Sequence, residues 1–384
     1  MTQRLYYEDS HIRTFEATVL SCTQAESGWR VVLDRTAFFP EGGGQLADRG
    51  TLGAANVLDV HLAGDGIVHV TDAPLAPGST VCGTLDWDTR FRRMQAHSAE
   101  HIVSGLAHRL HGCENVGFAC GDGEATLDFD RELTADEVAV LERAANGAVF
   151  ANVPVHTFFP EPGALPSYDY RSKLELTENV RLVQIGDYDL CACCAPHVAA
   201  TGEIGAIRLD GLMRHRGGVR LHLAAGWRAY EDARQDFENA RRISGRLSAP
   251  REATADAVER FMAELQEVKT ALTAKKRELT ACRAAALTAT DGSLCLFDSE
   301  TDAAAARELV NAGVPLCGGA SGVFMGTDAA GYRYIIGSRT LDLRKEAARI
   351  NAALSGRGGG KSAMIEGSCR ASRAEIEAFF AQLH

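Results

Sequence analysis

Three histidines and a cluster of cysteines stand out by type and spacing. His97 and His101 lie four residues apart in His97-Ser98-Ala99-Glu100-His101. On a helix, residues four apart sit one above the other on a single face, so both imidazoles can reach one metal ion. Downstream, Asp189-Leu190-Cys191-Ala192-Cys193-Cys194-Ala195-Pro196-His197 supplies a Cys-x-x-x-His pair, Cys193 and His197. Thiolate and imidazole are the donors zinc prefers in tetrahedral geometry. The two pairs together make a complete four-ligand set. Cys191-x-x-Cys194 is also a ligand spacing, so three cysteines compete for the metal. Four protein ligands describe a closed, structural site, whereas a catalytic zinc keeps one position for water. Catalysis would need one weak ligand or an expanded coordination. Glu100, between the histidines, could orient a ligand, act as a base, or only solvate the helix. His97-x-x-Glu100-His101 also matches the His-x-x-Glu-His order of a class of zinc peptidases, whose glutamate is the base. Those enzymes take a distal acidic ligand, and this chain offers Cys193 and His197.

Two glycine-rich runs expose backbone to a ligand. Pro40-Glu41-Gly42-Gly43-Gly44-Gln45 permits a close backbone approach and positive φ. It lacks the strand–GxxxxGKS–helix context of a phosphate loop. Gly356-Arg357-Gly358-Gly359-Gly360-Lys361-Ser362 exposes backbone N–H groups that can form an anion-binding concavity flanked by Arg357 and Lys361, with a flexible loop as the other reading. Residues 331–373 hold nine Lys or Arg against three acids, inside a chain of net charge −11. Total charge argues mildly against nucleic acid, but this local patch is the electrostatic footprint of a phosphate-backbone partner.

The elements that would position these residues follow from periodicity. The 384 residues are 46% hydrophobic and 24% charged, which excludes whole-chain disorder and leaves room for two to four domains. No apolar run approaches the roughly 20 residues of a membrane helix. The first residues lack a signal-peptide pattern, so the expected location is the cytoplasm, with no membrane association. Eleven cysteines, an odd count, fit reduced thiols and metal ligands better than a disulfide framework. Residues 1–85 read as β-rich, with strands at 15–22, 29–33, 57–62 and 66–70. Helices are predicted over 88–110 and 134–146, the second opened by a capping box of Thr134 and Glu137. Strands at 126–129, 180–185 and 219–223 make the pattern α+β rather than regular βαβ. From 227 to 286 the chain reads as two helices broken at Ser248-Ala249-Pro250. Val258, Phe261, Leu265, Val268 and Leu272 keep a 3–4 spacing that Leu279 and Cys282 continue and Lys275 interrupts. That is a helical arm, with a dimer zipper as the second reading. Residues 287–384 read as a small α/β domain.

In order and spacing, these segments resemble the AlaX family of stand-alone alanyl-tRNA editing proteins, related to the editing half of alanyl-tRNA synthetase. The resemblance rests on Leu5-Tyr6-Tyr7-Glu8-Asp9-Ser10, the run from Asp34 to Gln45, Met94-Gln95-Ala96-His97-Ser98-Ala99-Glu100-His101, Cys193-x-x-x-His197-Val198 with Thr201-Gly202-Glu203-Ile204, and Gly358-Gly359-Gly360-Lys361. It covers essentially the whole chain and matches the long form, which adds a helical arm and a C-terminal domain of the DHH-associated type.

The resemblance implies one Zn2+ per chain on His97, His101, Cys193 and His197, and so favours Cys193 over its neighbours. Relatives commonly read Cys-Gly-Gly-Thr-His where this chain reads Cys193-Cys194-Ala195-Pro196-His197. Near Asn115-Val116-Gly117-Phe118 they often carry a polar selectivity residue, and none is assigned here. The implied reaction is ATP-independent hydrolysis of the ester in mischarged Ser-tRNA-Ala, Gly-tRNA-Ala or both. A pocket built for alanine rejects an added hydroxyl by only about a hundredfold and admits glycine, so a second, hydrolytic site supplies the missing discrimination. Gly42, Gly43, Gly44 and Gln45 would shape the substrate pocket, Arg357 and Lys361 would hold tRNA, and Glu100 is the candidate catalytic carboxylate. The expected fold is α+β: a small β-barrel-like domain over 1–85, a zinc-binding editing domain over 86–226, the arm over 227–286 and the C-terminal α/β domain over 287–384. A homodimer through the arm or the C-terminal domain is the expected assembly. The non-enzyme reading is a tRNA-binding module with a closed structural zinc.

Overall fold

Phe15, Ala17 and Val19 alternate with exposed neighbours, the period-two pattern of a half-buried strand. This strand, β1 (Thr14–Ala25), joins β2 (Gly28–Leu33), β3 (Gly50–Leu52), β4 (Ala55–Ala63), β5 (Gly66–Thr71) and β6 (Thr80–Leu85). All pairings are antiparallel, and the order β1-β2-β5-β4-β3-β6 closes on itself as a barrel. Closure removes the free edges that an open sheet must protect. Val31, Leu33, Leu52, Val60 and Ile67 are buried in its core. His69 is buried too, with Nε2 2.8 Å from Thr36 Oγ1 and Nδ1 3.2 Å from the Val31 carbonyl.

The computed structural model describes residues 2–64, 66–121, 125–172 and 179–383, in two compact units, Met1–Arg242 and Ile243–His384. In the first unit the barrel leads into α1 (Trp87–His111). Asp86 caps this helix by accepting from the Thr89 N–H, and Gly112 ends it at φ 61°. Unlike a surface helix, α1 is buried on every face through its middle. Arg90 and Arg93, fully buried, cross to the barrel loop: Arg90 pairs with Asp48 and donates to the Ala37 carbonyl, while Arg93 donates to the Ala47 carbonyl at 2.6 Å. Buried guanidiniums are tolerated because each finds carbonyl or carboxylate partners.

Two antiparallel sheets follow. In one, β7 (Asn115–Cys120) and β8 (Ala125–Phe129) combine with β12 (Ile207–His215) and β13 (Gly218–Ala225) in the order β12-β13-β8-β7. In the other, β9 (Val155–Phe158), β10 (Leu182–Ile185) and β11 (Asp189–Ala192) lie in chain order. Between them in sequence is α2 (Ala135–Ala151), opened by the Thr134–Glu137 capping box. Ile102, Leu127, Leu141, Ile185 and Leu221 share the core among these elements. The helix α3 (Trp227–Leu247) ends before Pro250.

The second unit carries α4 (Thr254–Ala285), β14 (Leu294–Phe297), α5 (Ala303–Gly313), β15 (Ala320–Thr327), β16 (Gly331–Ser338), α6 (Leu343–Ala353), β17 (Gly356–Lys361), β18 (Met364–Cys369) and α7 (Arg373–Phe380). Its sheet runs β14-β15-β16-β18-β17, with only β14–β15 parallel. Here the flexible-loop reading is corrected. Gly356–Lys361 is not a loop but the edge strand β17, paired residue by residue with β18. Glycine is a poor strand former, so composition pointed to a loop. Pairing overrides it: the Asn351 amide also donates to the Gly358 carbonyl at 2.9 Å and accepts from the Tyr334 hydroxyl at 3.1 Å.

Burial lowers the pKa of His69 from 6.5 to about 4. The unfolded chain therefore binds a proton that the native barrel refuses between those values. His69 should cost the barrel stability as pH falls from about 6.5 towards 4, by up to about 1.4 kcal/mol per pH unit. Urea unfolding at pH 7 and pH 5 measures this. We expect His69→Gln to flatten the pH dependence by about one proton, and an unchanged slope would show that His69 titrates normally.

Candidate metal centre

The i, i+4 spacing does what a helix requires: the His97 and His101 rings lie on one face of α1, 5.4 Å apart. The β11 strand and the turn after it bring Cys193 and His197 to the same place. The donor atoms of His97, His101, Cys193 and His197 all fall within 4.8 Å of one another, a group that could hold a metal ion. Cys193 Sγ lies 3.5 Å from His97 Nε2 and 3.4 Å from His197 Nε2. A tetrahedral ion with metal–sulfur and metal–nitrogen bonds of about 2.3 and 2.0–2.1 Å, as in zinc sites, separates such donors by about 3.5 Å.

Each imidazole is oriented through its other nitrogen. Nδ1 of His97 lies 2.9 Å from Gln45 Oε1, that of His101 2.9 Å from Asp189 Oδ2, and that of His197 3.0 Å from Ser98 Oγ. Nε2 is thereby left facing the centre in all three rings, the arrangement that fixes tautomer and aim in metal sites. Burial works against ionisation of Asp189, yet His101 and Arg171 outweigh it and hold the carboxyl below its usual range. Arg171 grips both carboxylate oxygens at 2.7 and 3.0 Å. Gly105 makes this contact possible: a Cβ there would stand 2.2 Å from the Tyr188 carbonyl.

Burial pushes the Cys193 thiol well above its ordinary value. Burial, then the neighbouring His101 and His97, push His197 well below its own. Neutral imidazoles are already ligands, while the thiol becomes one only when a cation offsets its charge. The Ala195 N–H donates to Cys193 Sγ at 3.4 Å, and Arg181 donates to the Cys193 and Ala195 carbonyls at 3.0 and 2.9 Å.

The competing cysteines separate in space. Cys191 groups with His101 and Asp189 rather than with the four donors, and Cys194 lies against Gly42 and Gly43. Asp189 is turned to His101 Nδ1, so the cluster has Cys193 and His197 where a peptidase would have a distal carboxylate. Glu100 is buried, which removes the reading that it solvates the helix. Its Oε1 accepts from Ser104 Oγ at 2.9 Å and Asn115 Nδ2 at 2.6 Å, and its Oε2 stands 3.8 Å from His101 Nε2.

A cavity of about 530 Å³ opens beside the cluster. Tyr7, Gly43, Glu100, Val116, Phe118 and Arg181 contribute to its wall. Gly44 sits at φ 81°, where an added Cβ would come within 2.5 Å of the Phe118 carbonyl. The glycine run is thus shaped to bring backbone against β7, and its neighbour Gln45 reaches His97 rather than the cavity. Ser10 donates to the His197 carbonyl at 2.7 Å, so the N-terminal motif braces the same turn. Arg357 and Lys361 are exposed on β17 in the second unit.

Asp189, Ser98, Asn115 and Ser104 were not assigned roles from the sequence. Asp189 stands in the cysteine-rich run, two residues from Cys191, but nothing in that run shows that β11 packs on α1. Replacing Asp189 with Asn keeps the shape and removes the charge behind His101. We expect Asp189→Asn to lower metal affinity about 10–100-fold, read by competition with a chromophoric chelator. Unchanged affinity would mean that Asp189 serves only Arg171.

Residues 180–221 match the family described as "Threonyl and Alanyl tRNA synthetase second additional domain". An alanine–tRNA ligase of Ignicoccus hospitalis is 31% identical over 304 residues, 76% of this chain and 33% of that protein. One of Halorubrum lacusprofundi is 36% identical over 298 residues, 74% of this chain and 32% of that protein. The "Alanyl-tRNA editing protein Aarsd1" of Mus musculus is 33% identical over 224 residues, 54% of each chain. The chain therefore spans about a third of the length of these ligases and about half of the mouse protein. That domain and those relatives support an AlaX-type editing protein, related to the editing half of alanyl-tRNA synthetase.

Proposed function

We propose that the protein is a cytoplasmic trans-editing deacylase that hydrolyses the ester of mischarged Ser-tRNA-Ala, Gly-tRNA-Ala or both, with one zinc ion held by His97, His101, Cys193 and His197. The observation that carries this reading is the convergence of four donors, with all three imidazoles aimed by Gln45, Asp189 and Ser98, beside a cavity that also contains a buried carboxylate. Zinc at this position supplies Lewis-acid chemistry, polarising an ester carbonyl. The protein's own groups do the rest. Glu100 Oε1 is committed to Ser104 and Asn115, which leaves Oε2 to take a proton from the attacking water. The water oxygen bonds to the ester carbon, the ester C–O bond breaks, and the proton passes to the departing ribose oxygen. Gly43 and Gly44 present backbone to the aminoacyl-adenosine end, and Gln45 acts through His97. Phe118 and Val116 give the cavity apolar surface.

The small sheet domain over 287–384, which we read as the DHH-associated domain, holds the body of the tRNA. Its basic residues supply the sequence-independent phosphate attraction.

The direct test is deacylation of Ser-tRNA-Ala, Gly-tRNA-Ala and Ala-tRNA-Ala by the purified protein, with metal content measured in parallel. We expect loss of the seryl or glycyl ester with the alanyl ester spared. His97→Ala should lose both the metal and the activity. Glu100→Gln should keep the metal and lose about 10²-fold or more in rate. A metal-loaded, tRNA-binding wild type that hydrolyses nothing would overturn the reading and leave a binding module with a structural zinc.

For the second unit, replacing Arg357 and Lys361 together with Ala should weaken tRNA binding at low salt. It should also reduce the salt slope by about one unit for each phosphate that is no longer neutralised. Binding that is unchanged across a salt series would remove β17 from the tRNA site.

A further inference from the structure

The cavity beside the metal centre shares part of its wall with a second hollow. Asn179 and Val180 line both, and the second, of about 460 Å³, is bounded further by Phe159, Pro160, Pro162 and Leu165. A pair of rings joins the two. Tyr7 lines the first and Phe159 the second, and their centroids stand 5.7 Å apart at 69°, an edge-to-face contact.

Phe159 follows β9 directly and is 52% exposed. A single exposed phenylalanine means little by itself. This one is set in place: Tyr7 meets it on one side, and Pro160 and Pro162, with φ fixed by their rings, stiffen the chain that leaves it. Two cations stand over Tyr7. The guanidinium carbon of Arg181 lies 5.0 Å from the ring centroid and that of Arg4 lies 5.6 Å from it. Arg181 is held there by the Cys193 and Ala195 carbonyls. Arg4 donates to the Tyr7 hydroxyl oxygen at 3.3 Å, which leaves the hydroxyl proton for another acceptor. The second hollow has one acidic wall residue among those described, Glu161, and it is exposed to water.

Rings for bases beside cations for phosphates are what an unpaired nucleotide chain requires. The ester that the cavity would take sits on the terminal ribose of a tRNA, and the phosphate on that nucleotide joins it to the one before. With the ester at the metal centre, the strand has to leave the cavity across some part of its wall. The side formed by Tyr7, Arg4 and Phe159 has the chemistry to carry it. We propose that Phe159 is a stacking platform for the base of the nucleotide that precedes the terminal adenosine in the unpaired 3′ end, with the Tyr7 hydroxyl and Arg4 on the linking phosphate. Stacking accepts any base, so the subsite grips the 3′ end without reading which tRNA it belongs to. This inference rests on the editing reading and adds a binding subsite to it.

The test uses the purified full-length protein and tRNA-Ala that carries serine through an amide to a 3′-amino terminus, which resists hydrolysis. With 2-aminopurine as the preceding base, binding to the wild type should quench the fluorescence. Phe159→Ala should lose the quench and bind about tenfold more weakly, with metal content unchanged, and Phe159→Tyr should keep both quench and affinity. Removing the base from that nucleotide should cost the wild type about tenfold and cost Phe159→Ala nothing further. Arg4→Ala should lower the salt slope of binding by about one unit. In turnover, the advantage of Ser-tRNA-Ala over seryl-adenosine in kcat/KM should fall about tenfold in Phe159→Ala. A bound probe that stays bright in the wild type overturns the proposal, as does a base-removal penalty of equal size in wild type and Phe159→Ala, or a salt slope that Arg4→Ala leaves unchanged. The binding readouts need no turnover. A wild type that quenches the probe and hydrolyses no ester fails the editing reaction alone, while one that hydrolyses Ser-tRNA-Ala with a bright bound probe fails the subsite alone.

Discussion

Three imidazoles can share one centre only when the second nitrogen of each ring is held somewhere else. In this protein those holds come from three places distant in sequence. Gln45 sits in the barrel loop, Asp189 at the start of β11, and Ser98 on α1 itself. Each hold sets a tautomer as well as an angle, so the aim of Nε2 is decided by hydrogen bonds made outside the cluster. The thiolate is constrained differently. Cys193 is half-buried, faces two imidazoles and receives one N–H, which leaves its charge to be balanced by a cation. The rest of the first unit can be understood as what keeps these four groups in register.

That requirement explains why α1 is buried on all sides. A helix in such a position cannot be amphipathic in the ordinary way, and its polar residues must each find a partner. Arg90 and Arg93 tie it to the barrel loop that carries Gln45. Glu100 is tied to Ser104 and Asn115, while Gln95 donates to the Glu203 carbonyl at 2.9 Å. Every one of these hydrogen bonds would be costly to leave unmade in a low-dielectric interior. The same bonds therefore fold the unit and hold the centre, and a change in one is expected to be felt in the other.

The second unit is arranged on the opposite principle. Its sheet ends in a glycine-rich edge strand with Arg357 and Lys361 exposed, and α4 leaves its apolar stripe in water. Exposed edges and apolar rows are ordinarily avoided, because they pair with other chains.

Short-range patterns were legible in the residues alone. The i, i+4 histidines, the Cys-x-x-x-His pair, the capping box at Thr134 and the heptads of α4 each lie within one stretch of chain, where local geometry converts spacing into direction. The alternation in β1 and the break before Pro250 were legible for the same reason. Whatever depends on one element meeting another was settled only by packing. Asp189 became the partner of His101 because Gly105 lets β11 approach α1, and no local pattern records that approach. Cys193 was separated from Cys191 and Cys194 by where the turn after β11 points, although all three have plausible spacing. Gln45, set beside the substrate in the sequence reading, lies behind His97 because the glycine turn aims it there. Gly356–Lys361 is a strand because β18 pairs with it, against the preference of its residues. Hydrogen-bond partners across long loops carry little local signal, since the chain between them can have almost any composition.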